Sequence, residues 1–135
     1  MAQANLDFCR ELPRVEEAGA VVACFQCSAC VADCPAAARS ARFNPRDIML
    51  KALLGLEAEL LREDSVVWEC ATCYTCMERC PQGVRPIEVI TALKNILARR
   101  GLLPAEVAAA AENIRRTDRV IVHSQAVRRR RQEMG

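Results

Sequence analysis

Aromatic side chains are scarce here: three Phe, one Tyr and one Trp in 135 residues. The 52% of apolar residues comes mostly from Ala, Leu and Val, a composition that favours helices over strands. There is a single histidine, His123, and a lone histidine reads as an ordinary core or surface residue and not as a catalyst. No GxGxxG opens a βαβ unit, so the usual nucleotide-cofactor signature is missing. Nowhere do about 18 apolar residues run together, which excludes an encoded transmembrane helix. Met1 to Asp7 carry neither the basic stretch nor the apolar core of a secretory signal, and a cytoplasmic location is expected. With a net charge of +2, nothing argues for nucleic acid as a partner.

Cysteine, by contrast, is plentiful: nine residues, eight of them in two copies of CxxCxxCxxxCP. The first is Cys24, Cys27, Cys30 and Cys34 before Pro35; the second is Cys70, Cys73, Cys76 and Cys80 before Pro81. Gaps of two let one tight turn present three sulfurs to three irons of a cube. The longer last gap throws the fourth sulfur away, and the proline blocks continuation of the local helix. This is the ligand run of a bacterial-type two-cluster ferredoxin, in which the fourth thiolate reaches across to the other cluster. Two 4Fe-4S clusters are therefore expected, one on Cys24, Cys27, Cys30 and Cys80, the other on Cys70, Cys73, Cys76 and Cys34. Disulfides suit a cytosolic chain poorly. Two zinc sites are the competing reading, although structural zinc usually takes separated cysteine pairs and not runs of four. Cys9 stands outside both runs and reads as a small buried hydrophobe.

Between the runs lie helical signals. Residues 5–23 show near-helical apolar spacing broken by Pro13, which suits two short helices. Asn44, Pro45 and Asp47 are the N-cap, first-position and first-turn residues of a helix whose apolar face is Ile48, Met49, Ala52, Leu53 and Leu56, ending near Gly55. Glu57–Arg62 is a second short helical stretch, and Glu63–Ser65 a loop. Trp68 reads as packing that shields the clusters. Pro86 opens a helix with Ile87, Ile90, Leu93 and Leu97 on its buried face, stopping at Gly101, and Pro104 opens another from Ala105 to about Arg116. The two runs are offset by 46 residues and each is followed by a proline-started amphipathic helix, so the chain is an approximate internal duplication.

Phe25-Gln26-Cys27, the stretch Trp68 to Pro81 with its Cys-Ala-Thr-Cys-Tyr-Thr-Cys phrase, and Val84 to Ile90 resemble the iron-sulfur C subunit of heterodisulfide reductase, over roughly residues 20–131. The resemblance implies an all-α fold, an α-helical ferredoxin with both cubanes wedged between short helices. It also implies electron relay between two partners, an A-like protein carrying flavin and iron-sulfur centres and a B-like catalytic protein, with no catalytic residue in this chain. The expected organisation is an N-terminal helical segment (1–22), a dicluster core (23–101) and a C-terminal helix with a basic tail (102–135), forming one structural domain.

An independent ferredoxin-like carrier is the alternative, and a zinc-stabilised interaction module a remoter one. Free ferredoxins are commonly strongly acidic, whereas this chain is slightly basic, which favours membership of a complex. Arg128 to Arg131 read either as a solvated chain end or, with Thr117 to Val122, as a segment lying along a partner's acidic groups.

Overall fold

The computed structural model describes residues 4, 5, 7, 8, 10, 12, 21–120 and 124–135. Cys9, Pro13 and His123 lie outside the described residues, as do Ile121 and Val122 and most of the segment expected to form two N-terminal helices. The chain divides into two compact units, Met1–Leu102 and Leu103–Gly135.

Among the described residues there is no strand. The first unit is a set of short helices joined by tight turns: α1 (Ala29–Ala32), α2 (Pro35–Arg39), α3 (Pro45–Leu53), α4 (Glu57–Leu60), α5 (Thr75–Glu78) and α6 (Pro86–Arg99), with 3-10 turns at Val21–Ala23 and Val66–Glu69. Helix α3 starts where Asn44 Oδ1 accepts from the N–H groups of Arg46 and Asp47, at 3.0 and 3.2 Å, satisfying donors that the first turn leaves free. It ends at Leu54, and Gly55 then takes a left-handed turn (φ 66°). Helix α6 likewise runs from Pro86 to its stop before Gly101 (φ 72°).

The amphipathic faces of α3 and α6 meet. Ile48, Met49, Ala52, Ile90, Leu93 and Leu97 are fully buried, together with Leu12, Leu60 and Val67. Each buried side chain of this size contributes about 1.5–3 kcal/mol of transfer free energy. Helices α1 and α5, one from each cysteine run, pack on one another; α1 also touches α3, and α5 touches α6. The two long helices thus form a floor on which the two runs face each other.

Two elements differ from expectation. Pro35 does interrupt the local helix, but it also occupies the first position of α2, where its missing N–H costs nothing. The C-terminal arginines are not an irregular tail: they belong to α8 (Gln125–Met134), in which Ser124 Oγ accepts from Val127 N–H at 3.4 Å, and every residue of α8 is exposed. In the same unit, α7 (Ala105–Thr117) ends at Asp118, where Asn113 Nδ2 donates to the Arg119 carbonyl at 2.6 Å.

Candidate metal centre

Each cysteine run passes twice through left-handed backbone: at Gln26 (φ 62°) and Ser28 (φ 68°) in the first, and at Thr72 (φ 54°) and Tyr74 (φ 64°) in the second. These pairs are separated by the same 46 residues as the cysteines, so the duplication is one of conformation as well as of sequence. Ser28 and Tyr74 each precede a single helical turn, α1 or α5, that carries the third cysteine of its run. Such turns curl the main chain so that successive N–H groups face a concave side, a cradle suited to an anionic group such as an iron-sulfur cluster.

The fold brings the fourth cysteine of the first run to the second. Cys34 lines one cavity with Cys70, Cys73 and Cys76, and the rest of its wall includes the apolar side chains Phe43, Ile87 and Ile90. Around Cys30 the interacting thiols are Cys24, Cys27 and Cys80; around Cys76 they are Cys70, Cys30, Cys73 and Cys34. Burial pushes the Cys30 thiol up to about 11 and the Cys76 thiol up to about 12, with repulsion from those neighbouring sulfurs adding to the shift. The Thr75 hydroxyl works the other way on Cys73, lowering its pKa by hydrogen bonding to the thiolate. Cys27 and Cys73 are exposed and Cys76 is buried, so the cysteines reach from the surface to the core.

Two sulfurs already accept hydrogen bonds. Gln26 Nε2 donates to Cys24 Sγ at 3.3 Å, while Arg46 Nε donates to the other end of that amide at 3.2 Å. The Val84 N–H donates to Cys80 Sγ at 3.3 Å. Arg79 and Asp33 pair at 2.7 Å across the ends of α5 and α1. Trp68 packs half-buried against the core, and its indole Nε1 is buried with no partner among the described residues.

Soft thiol donors, curled N–H cradles and an apolar-walled cavity fit an iron-sulfur cluster. Among the described residues, no three Cys, His, Asp or Glu side chains are gathered as a single metal ion would need.

The fold and its thiols define a helical dicluster iron-sulfur protein, and residues 20–84 match the 4Fe-4S dicluster domain family. The chain holds two 4Fe-4S clusters. It is 40% identical over 106 residues to the CoB–CoM heterodisulfide reductase iron-sulfur C subunit of Methanopyrus kandleri, covering 73% of this chain and 54% of that protein. It is 44% identical over 81 residues to a C subunit of the same kind from Methanocaldococcus jannaschii, covering 60% and 42%. With the C subunit of the ferredoxin:CoB-CoM heterodisulfide reductase of Methanosarcina mazei it shares 30% over 115 residues, covering 85% and 70%. The chain belongs to the family of heterodisulfide reductase iron-sulfur C subunits. It spans about half the length of the first two of these relatives.

Sequence reasoning missed Arg46 and Lys94 as neighbours of the runs. Lys94 left a signal: besides Arg99 in the last turn, it is the only cation in the apolar helix α6.

Proposed function

We propose that this chain relays electrons through its two clusters within a heterodisulfide reductase-like complex, between an A-like protein carrying flavin and iron-sulfur centres and a B-like catalytic protein. Cys24, Cys27, Cys30 and Cys80 hold one cluster, and Cys70, Cys73, Cys76 and Cys34 the other. The single observation that carries this reading is the place of Cys34 in the cavity of the second run. Crossed ligation makes both runs one folding unit and sets the two clusters side by side. The names of the relatives supply the complex and its disulfide chemistry. No helix among the described residues is long and apolar enough to cross a membrane.

Anaerobic iron and sulfide determination with EPR of the reduced protein tests the cofactors, and two magnetically interacting cubanes are expected. Co-purification from native extract tests the assembly. A chain that carries both clusters yet elutes alone at every stage would be an independent carrier.

A further inference from the structure

Lys94 projects from α6 onto the second cysteine run. Its Nζ donates to the Cys70 carbonyl at 3.0 Å and reaches the Thr72 hydroxyl at 3.5 Å. It also stands 5.9 Å from the centre of the Trp68 ring. Every one of these partners is neutral, and among the described residues Lys94 has no carboxylate within ion-pair distance. Holding a cation half-buried beside neutral partners is costly, and the repeat does not require a cation here. The position 46 residues earlier is Ile48, which is fully buried. What lies beside Lys94 is the backbone of a run whose thiolates and cluster are anionic, and which grows more so on reduction.

We propose that Lys94 is a potential-setting residue for the cluster held by Cys70, Cys73 and Cys76. This deepens the electron-relay reading and rests on those cysteines being ligands. Reduction of the cluster would take one electron from an external reductant, with no bond formed or broken. The fixed positive charge of Lys94 favours the reduced cluster, and hydrogen bonding to Cys70 and Thr72 keeps that charge in place. Near the first run, Arg46 is exposed and bonds to Gln26, and Arg79 is exposed and paired with Asp33, so water, salt and a counter-ion screen these charges more strongly. The duplicated sites are thereby made electrically unequal.

The test is an anaerobic dithionite titration of the holoprotein followed by EPR, comparing wild type with Lys94→Met, Lys94→Gln and Lys94→Arg. Loss of the charge is expected to lower the reduction equilibrium constant of one cluster about tenfold, which is about 59 mV for a one-electron couple. The wave that moves is expected to be the one that Cys73→Ser perturbs, with the other unmoved and Lys94→Arg near wild type. Unmoved waves in fully loaded Lys94→Met and Lys94→Gln overturn the proposal, as does an equal shift of both waves. Failure of the wild type to carry iron and sulfide would instead overturn the cluster reading itself.

Discussion

Asn5 is bonded to Gly55: its backbone N–H donates to the Gly55 carbonyl at 2.8 Å, and its own carbonyl occupies the space that a Cβ at position 55 would need. Gly55 is also left-handed (φ 66°). This one contact fastens the N-terminal segment, with buried Phe8 and Leu12, to the turn between α3 and α4. Gly55→Ala is expected to destabilise the protein by at least about 1 kcal/mol from backbone strain alone, and to open the segment to protease near residue 10. A thermal melt with limited proteolysis checks both.

Glu57 completes that fastening. It accepts from Arg100 at 2.6 Å and from Asn5 Nδ2 at 2.9 Å, and these bonds, Arg100 first, hold its carboxyl below the usual range. A lowered carboxylate pKa contributes stability above the unfolded value near 4.5 that is lost as pH falls through the folded value. Hydrogen exchange of the Asn5 and Phe8 amides is expected to quicken as pH drops below about 4.5, after correction for intrinsic rates. Glu57→Gln is expected to flatten this dependence, at a cost below about 1 kcal/mol because the pair is partly solvated.

Crossed ligation makes a prediction that neighbour-in-sequence ligation does not. Cys34→Ser is expected to damage the cluster of the second run, and Cys80→Ser that of the first, as read by iron content and EPR. Each substitution altering only the signal of its own run would reject the assignment. Cys9→Ser is expected to leave iron content unchanged.

Chelation is expected to leave a loose chain, because cluster binding free energy is folding free energy in a unit this small. The probe is circular dichroism, and unchanged helix content with a sharp melt after metal removal would contradict the expectation.

Truncation after Thr117 removes α8 and its arginines. Since Leu103–Gly135 forms its own compact unit, cluster content is expected to survive. Complex assembly is expected to weaken, and the difference from wild type to shrink with added salt. Unchanged assembly at low salt would leave α8 without a partner.

Much of this was legible from local chemistry. Asn44-Pro45 and Pro86 marked the starts of α3 and α6, and Gly55 and Gly101 their stops, because caps and breakers act over a few residues. Helix α2 is hard to see in the sequence, since Pro35 reads equally well as a terminator, and α8 is obscured because four adjacent arginines show no apolar period. Lys94 was missed for a different reason. Its partners lie 22 and 24 residues away, and only the packing of α6 beneath the second run brings them together.

The four left-handed residues of the cysteine runs have a consequence for the life of the protein in the cell. Gln26, Ser28, Thr72 and Tyr74 bear side chains in a conformation that L-residues resist by about 1–2 kcal/mol each. Together that is a sizeable fraction of the stability of an ordinary domain. A newly made copy lacking iron has only the packing of α1 on α5 and a few hydrogen bonds to hold those turns closed, so its runs are expected to open and present unfolded chain to proteases. Loaded copies are kept shut by their cofactors. The same backbone that cradles the clusters thus acts as an inspection step, and the standing population of the protein is expected to follow the supply of iron and sulfide.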